Sequence, residues 1–398
     1  MKLDIFGRQV WKRWFVRHTC KQYIKQDVKI FQITRGIIVN EHKHSFGVFD
    51  NNFKFVKASS QKRKKDGQFI PKFNHKNIPY IDEDVIFVGN VYPQFGHFLL
   101  EHMNRAYALL YKKYKNMKVV LINNKDVNPV PNYMIELLKM LGAKDVLILN
   151  ETTQFKNVYI PEQGFNIPIY SSNDFGKTYA AMADNVPSSE EIYDKVYVSR
   201  SAMNERKTFG EEFVQEIFKN NGYKIIWPEQ LPLTAQIGII KNCKCLAGCA
   251  GTALHLALFM KPGGTVIQIK RNRILKDNSD TQYLINNTVG LNSVFVDASI
   301  EKQKTDHGAF TPQIIGLNKY MRLFFDKNNF IYDKTLPVFR QVDMDNYDNL
   351  LQQYNEMHGG NISVWIKRKF IHLSACFIPG RENRGNYRRW LKRKLKLI

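Results

Sequence analysis

The hydrophobic pattern of residues 84–270 alternates between short apolar runs and longer segments with helical spacing. The strand-like runs include 84–89, 118–123, 145–150, 156–161, 195–200 and 265–269. Between them, apolar residues recur every three or four positions, for example in 132–142 and 212–222. This alternation of strands and helices predicts an α/β fold with parallel sheets.

Residues 28–58 have a different pattern, because apolar and polar positions alternate there as in a small β-meander. The polar, proline-containing segment 185–191 predicts a boundary between two domains. We therefore divide the chain into four parts. They are a basic amphipathic N-terminal helix (1–27), an N-terminal α/β domain (28–187), a C-terminal Rossmann-like domain (188–340), and C-terminal helices with a basic tail (341–398).

Composition supports a protein with two substantial cores and gives no sign of a membrane-spanning segment. The chain has 398 residues, of which 44% are hydrophobic, and no uninterrupted apolar run reaches the length of a bilayer-spanning helix. The N-terminus also lacks the apolar segment of a secretory signal. Three of the five cysteines, Cys243, Cys245 and Cys249, cluster in a predicted core, so we expect buried thiols in a reducing cytosol rather than a zinc site.

The net charge of +23 is concentrated at the two ends of the chain. Residues 1–25 carry seven Lys and Arg against one Asp, and residues 361–398 carry eleven against one Glu. A uniformly basic surface would favour nucleic acid as a partner. Two strongly basic ends on a less basic central region instead suggest that the ends have a separate role. We therefore expect that the protein does not bind nucleic acid.

Both basic ends also have amphipathic helical spacing. In the N-terminal segment Trp11, Trp14 and Phe15 share one face, which fits either insertion at a membrane interface or packing in the core. Near the C-terminus Trp390 and Leu391 belong to an apolar face that is surrounded by Arg and Lys. The C-terminal tail is the stronger candidate for attachment to an anionic membrane surface.

The segment 244–269 is the first candidate binding element. A short strand runs into small residues that include Gly248 and Gly251, and a helix is predicted from Thr252 to about Phe259. Such a turn lets a ligand approach the backbone, and the helix N-terminus favours anions. The pattern alone fits phosphate binding and simple tight packing equally well.

Two further groups of residues extend the candidate site. Arg200, Asn204 and Lys207 follow a strand that ends near the same edge of the sheet, where α/β folds bind ligands. Together with a helix N-terminus they would form a diphosphate site. His97, Glu101 and Arg105 are spaced four residues apart, which predicts one helical face carrying a base, a carboxylate and an anion contact. The same spacing also fits an ordinary surface.

Three patches together resemble glycosyltransferase family 61, whose bacterial members are often capsular polysaccharide biosynthesis proteins. They are FGHFLLE at 95–101 with Arg105, SRS at 199–201 with NE at 204–205, and GCAGTALHLALF at 248–259. Their order and the intervening βα units agree with the family over roughly residues 84–270. The chain departs from the family pattern at Ala250, where many members have His, and at Leu256, where Asn is frequent.

The resemblance implies a GT-B arrangement, in which two Rossmann-like domains face a cleft, and an inverting, metal-independent transfer. It implies a nucleotide-sugar donor, expected to be UDP-linked, with no other cofactor, and a glycan or lipid-linked acceptor for surface polysaccharide. The protein would work in the cytoplasm, at the inner face of the cell membrane. His97 and Glu101 are the expected catalytic residues, with His97 preferred as the base, and Arg105 is an acceptor or anion contact. The expected donor-binding residues are Arg200, Asn204, Lys207, Glu229, Gly248, Gly251, Thr252 and His255.

Two other classes of function remain open at this point. A nucleic-acid-binding or non-enzymatic protein would use the basic charge directly, although the charge lies mainly outside the predicted phosphate site. A phosphotransferase would use the same diphosphate site and differ only in its product.

Overall fold

The computed structural model describes residues 1–41, 45–61, 72–123, 127–203, 208–275, 277–300, 311–359 and Tyr387. The strands of this part are, in chain order, β1 (Leu3–Phe6), β2 (Tyr23–Lys25), β3 (Ile30–Thr34), β4 (Ile37–Glu41), β5 (Ser45–Phe49), β6 (Tyr80–Asn90), β7 (Lys118–Ile122), β8 (Val146–Leu149), β9 (Thr153–Pro161), β10 (Phe165–Asn166), β11 (Tyr170–Ser172), β12 (Lys195–Val198), β13 (Thr208–Phe209), β14 (Lys224–Ile226), β15 (Cys245–Cys249), β16 (Thr265–Lys270), β17 (Asn292–Asp297) and β18 (Gln313–Ile314).

The helices are mostly short and connect these strands. The α-helices are α1 (Gln9–Thr19), α2 (Phe95–His97), α3 (Asn132–Met140), α4 (Asn173–Asp184), α5 (Glu211–Asn220), α6 (Leu233–Ile240), α7 (Ser279–Val289), α8 (Lys319–Lys327) and α9 (Gln341–Gly359). A π-helical turn covers Phe98–His102, and 3₁₀ helices cover Lys57–Ser59, Ala106–Leu110, Pro228–Gln230 and Thr252–Phe259. Among the described residues no helix has both the length and the apolar character to cross a bilayer.

The first sheet is built on four parallel strands in the order β9-β6-β7-β8. Their apolar runs are continuous because the strands are covered on both faces, and Val85, Ile86 and Phe87 are fully buried. The predicted meander is present as the antiparallel strands β3, β4 and β5. It forms no separate unit, since β3 and β4 both pair with β9 and extend the same sheet.

The second sheet is entirely parallel, with the strand order β1-β17-β16-β15-β12-β14. The α/β class predicted from the sequence is therefore confirmed. Because all strands point the same way, the segments after β12, β14, β15 and β16 emerge at one edge of the sheet. Arg200, Pro228, Gly251 and Arg271 lie in these segments, at the edge where open α/β sheets bind ligands.

The N-terminal segment is part of the fold, and it contains two strands, β1 and β2, besides the helix expected within residues 1–27. Strand β1 pairs with β17, and β2 pairs with β11. Between them, Trp11 and Phe15 are completely buried, and Phe15 packs on Phe295 of β17 with ring centroids 4.8 Å apart. These two aromatic side chains are not available to a membrane, because the second sheet supplies their apolar partner. The predicted basic tail at 361–398 lies outside the described residues, apart from Tyr387.

The layer between the two sheets is a shared apolar core. Val88 and Leu99 from the first part of the chain belong to the same buried cluster as Leu246 and Phe259 from the second. Tyr179 of α4 links the two sides, since its hydroxyl donates to the carbonyl of Leu99 at 2.6 Å and its ring packs on Phe259. This core holds the segment around His97 against the 3₁₀ helix Thr252–Phe259.

Candidate active site

A cleft of about 490 Å³ opens at the carboxyl edge of the second sheet. One wall comes from the first part of the chain and the other from the strand ends of the second sheet. The lining residues are Phe95, Tyr133, Glu136, Ser199, Arg200, Met203, Pro228, Glu229, Leu231, Pro232, Leu233, Gln236, Thr252, Ala253 and Leu256. Its size and its largely apolar wall with a few convergent polar groups are typical of a small-molecule site.

Gly96 allows α2 to contact the 3₁₀ helix Thr252–Phe259 beside this cleft. A Cβ atom placed on Gly96 would be 2.9 Å from Cβ of Thr252 and 3.0 Å from Cδ2 of His255. Only a glycine permits so close an approach. The short α2 turn therefore packs directly on the first turn of the 3₁₀ helix, and the two sequence patches that carry these residues are joined in one site.

His97 and Glu101 form a contacting pair in which Nδ1 of His97 faces Oε2 of Glu101. Glu101 is buried, whereas 34% of the His97 side chain is exposed. Among the described residues, Nε2 of His97 has no hydrogen-bond partner. A carboxylate at Nδ1 favours the tautomer that leaves Nε2 free to accept a proton, which is the arrangement of a general base and its orienting group.

The single α-helix predicted from His97 onward is wrong. Helix α2 ends at His97, and the chain continues as the π-helical turn Phe98–His102, in which the N–H of Met103 donates to the carbonyl of Phe98 at 2.8 Å. Helical hydrogen bonding then ends, because the side chain of Asn104 donates to the carbonyls of Leu100 and Glu101. These carbonyls would otherwise accept the next backbone N–H groups of an α-helix.

Arg105 consequently does not share the face of His97, and its expected role as an anion contact is wrong. Only 1% of the residue is exposed. Its guanidinium donates to the carbonyls of Pro161, Ala58 and Ser60 at 3.0, 3.1 and 2.7 Å. Burial lowers its pKa to about 10. Arg105 therefore satisfies three backbone acceptors on two distant segments and is structural.

Arg200 is the cationic residue of the cleft wall. The residue is only 8% exposed, and its Nε is buried without a hydrogen-bond partner among the described residues. Gly251 lies directly beneath it, because a Cβ atom on this glycine would be 2.9 Å from Nη1. A buried guanidinium nitrogen left without an acceptor costs free energy unless a ligand supplies one. The site is thus suited to an anion.

The buried carboxylate of Glu211 accepts a hydrogen bond from the backbone of Arg200. Oε1 of Glu211 accepts the backbone N–H of Arg200 at 3.1 Å and the hydroxyl of Tyr197 at 3.4 Å. Burial raises the pKa of Glu211, while the N–H group of Arg200 and the charges of Arg200 and Arg271 oppose the shift. Two arginines thus lie close enough to Glu211 for their charges to act on its carboxylate. The sequence analysis did not identify Glu211 or Arg271, although Arg271 directly follows a predicted strand.

The turn after β15 leads into a 3₁₀ helix rather than the predicted α-helix, and the N–H of Ala250 in this turn donates to the carbonyl of Ile269. The N–H of Leu254 already donates to the carbonyl of Gly251. Among the described residues the N–H groups of Thr252 and Ala253 have no hydrogen-bond partner, and both residues line the cleft.

Gly248, which was expected in the donor site, lies inside β15, where a Cβ atom would be 2.7 Å from the carbonyl oxygen of Val198. A residue without a side chain is therefore required at position 248 for β15 to pack against β12.

His255 is partly buried next to the His97 segment. Its Nδ1 contacts Oε1 of Gln282 at 3.1 Å. Burial lowers its pKa to about 4, the hydrogen bond to Gln282 opposes this shift, and the nearby imidazole of His97 adds to it. His255 is therefore neutral near pH 7.

The remaining predicted donor-site residues are only partly accounted for. Glu229 is exposed and lines the cleft, in a turn that Gln236 holds by donating to the carbonyls of Pro228 and Leu231. Asn204 and Lys207 lie outside the described residues. The wall formed by Tyr133 and Glu136 of α3 was not predicted, since nothing in the helical pattern of α3 indicates which partner its polar face meets. Within the described part of the chain, no group of three His, Cys, Asp or Glu side chains could hold a metal ion.

Comparison with known families gives a match over the region that builds this site. The model of the family described as Glycosyltransferase 61 matches residues 95–267. The matched region begins at α2 and ends in β16, so it includes His97, Arg200 and the turn after β15. The match supports glycosyltransferase family 61, in agreement with the resemblance seen in the sequence, and implies glycosyltransferase activity in general. No curated protein matches the chain.

Proposed function

We propose that this protein is an inverting glycosyltransferase that takes a sugar from a nucleoside-diphosphate donor bound in the cleft. The proposal rests chiefly on Arg200, whose buried Nε has no acceptor among the described residues. A diphosphate would supply that acceptor and would also meet the N–H groups of Thr252 and Ala253, for which the described residues offer no acceptor. These donors would stabilise the charge that develops on the leaving diphosphate, a task for which other enzymes use a metal ion.

In this proposal His97 is the base. Inversion requires one base to take the proton of the acceptor hydroxyl as that hydroxyl attacks the anomeric carbon from the side opposite the leaving group. Nε2 of His97, which has no partner in the described part of the chain, would take this proton, and Glu101 at Nδ1 would stabilise the imidazolium that forms. The contact between Gly96 and Thr252 supports the assignment, because it brings this pair next to the donor side of the cleft.

We further propose that the acceptor is a glycan or lipid-linked saccharide of bacterial surface polysaccharide and that the protein works at an anionic membrane. The support is the charge of residues 361–398, eleven Lys and Arg against one Glu. Each basic residue near an anionic surface is worth about 1 kcal/mol. Deletion of 381–398 should release the protein from anionic lipid vesicles in a sedimentation assay. A truncated protein that stays bound would rule out the tail as the anchor.

Calorimetric titration with UDP and with uridine tests the donor site. We expect UDP to bind more tightly than uridine, and Arg200→Ala to weaken UDP binding about 10–100-fold because charged hydrogen bonds are lost. Arg17→Ala is the matched control, since Arg17 is an exposed residue of α1. Equal UDP affinities of the Arg200→Ala and wild-type proteins would contradict the proposal.

A further inference from the structure

A chain of buried amide and hydroxyl groups runs from His255 into the second sheet. Nε2 of Gln282 donates to Oδ1 of Asn286 at 3.0 Å, and Nδ2 of Asn286 donates to Oγ of Ser293 at 2.9 Å. None of the three residues is more than 2% exposed. Burying polar groups costs free energy unless each one is paired. The groups of this chain are paired with one another, and Gln282 is the member that contacts His255.

The hydrogen bonds fix the orientation of the Gln282 amide. Its nitrogen also donates to the carbonyl of Leu254 at 3.2 Å, and a carbonyl oxygen can only accept. The amide oxygen must then face Nδ1 of His255, as the 3.1 Å contact has it. Because this oxygen can only accept as well, Nδ1 carries the proton. A neutral ring with a proton on Nδ1 has its lone pair on Nε2.

The ring of His255 lies next to the segment that carries the proposed base. Its Cδ2, the atom next to Nε2, would be 3.0 Å from a Cβ atom on Gly96, which precedes His97. Among the described residues Nε2 of His255 has no hydrogen-bond partner. The amide of Gln282 thus keeps an acceptor, rather than a donor, available next to the His97–Glu101 pair.

We propose that Gln282 is a positioning residue that locks His255 as the Nδ1–H tautomer, so that Nε2 accepts a hydrogen bond from a hydroxyl group of the donor sugar. This inference rests on the proposed function, because it assumes a sugar in the cleft. It assigns His255 to the sugar rather than to the diphosphate, which the backbone N–H groups and Arg200 would hold.

The tautomer is tested first, without any ligand. In protein carrying ¹⁵N-labelled histidine, the ring nitrogens of His255, assigned with His255→Ala, should show a protonated Nδ1 and an unprotonated Nε2 at pH 7.5. Gln282→Leu should abolish this preference. The matched control is Asn286→Ala, which disrupts the same buried chain but keeps Gln282 against both Leu254 and His255, so the tautomer should be unchanged. A protonated Nε2 in the wild-type protein would overturn the inference.

Binding is tested by calorimetry with UDP and with UDP-glucose, UDP-galactose and UDP-N-acetylglucosamine. We expect at least one UDP-sugar to bind wild type more tightly than UDP does. Loss of one hydrogen bond in Gln282→Leu should weaken that UDP-sugar about 3–10-fold and leave UDP unchanged, whereas Asn286→Ala should leave both unchanged. Equal losses for UDP and the UDP-sugar in Gln282→Leu would indicate a structural role only and overturn the inference.

Failure of the inference and failure of the proposed function are distinguishable. If UDP binds wild type but no UDP-sugar binds more tightly, the sugar contact of His255 is refuted while the diphosphate site stands. If neither UDP nor any other nucleoside diphosphate binds wild type, the proposed function itself is refuted, and the sugar contact with it.

Discussion

The guanidinium of Arg200 lies over the backbone of Gly251, so closely that a Cβ atom on this glycine would be 2.9 Å from Nη1. One residue follows β12 and the other follows the neighbouring strand β15. The absence of a side chain at 251 therefore determines where the cation of the cleft can lie. Gly248, three residues earlier, contacts the backbone carbonyl of Val198 instead.

Gly251→Ala should weaken the binding of UDP while leaving the stability of the fold nearly unchanged. The new methyl group meets the end of a flexible side chain, which can move, so we expect the free energy of unfolding to change by less than about 1 kcal/mol. The displaced guanidinium should bind UDP about tenfold more weakly. Gly248→Ala is the contrasting control, since its methyl group meets backbone and should destabilise the fold. Unchanged UDP affinity in Gly251→Ala would disprove the role given to this contact.

His97→Ala should lower the transfer rate about 10²–10⁴-fold, the range of a lost general base, while UDP binding survives. Glu101→Gln should lower the rate less, because the imidazole remains but loses the carboxylate that stabilises its charged form. Rates are measured as UDP release with acceptor present, and affinities by calorimetry. His18→Ala, at an exposed position of α1, is the control. Wild-type turnover in His97→Ala would exclude it as the base.

The strands and most connecting helices could be predicted from sequence because their apolar pattern is local. The run 84–89, for instance, is apolar throughout since β6 is buried on both faces. The segment after His97 could not be predicted in the same way. Its helical spacing is genuine, but Asn104 and Arg105 bond to carbonyls from distant parts of the chain, such as Phe165 and Pro161. Local periodicity carries no information about those partners.

In the candidate site, too, the local sequence predicted the single patches but not the contacts between them. Each sequence patch indicated a possible anion or base site, and the joining of the patches depends on Gly96 fitting against Thr252. The supporting residues Glu211 and Gln282 were missed because a buried polar residue in a helix resembles a surface residue when only the sequence is read. Their role follows from their burial and from their hydrogen bonds to Arg200 and His255.

Trp11→Ala should destabilise the protein by about 3–5 kcal/mol, because the side chain is completely buried and leaves a cavity. Trp14→Ala is the matched control, since Trp14 is partly exposed and stacks on His18, so its loss should cost clearly less. Urea denaturation measures both changes. Similar small losses in both variants would indicate that the N-terminal helix is not integrated into the fold.

The lowered pKa of His255 predicts a loss of stability in acid. Its pKa is about 4 in the folded protein and 6.5 in the unfolded chain, so between these values the unfolded chain binds more protons. The contribution of neutral His255 to the free energy of unfolding is therefore complete above pH 6.5. It is lost as the pH falls from 6.5 through 4. The melting temperature of His255→Gln should decline less steeply over this interval than that of wild type. Parallel pH profiles would show that His255 is not held neutral by burial.

The most direct test of the central claim is the product formed from nucleotide sugars. Purified protein is incubated with a panel of UDP-sugars and oligosaccharide acceptors, and the products are followed by NMR and mass spectrometry. We predict release of UDP together with a glycoside whose anomeric configuration is opposite to that of the donor. Transfer with retained configuration, transfer of a phosphoryl group, or binding of UDP-sugars without any UDP release would contradict the account.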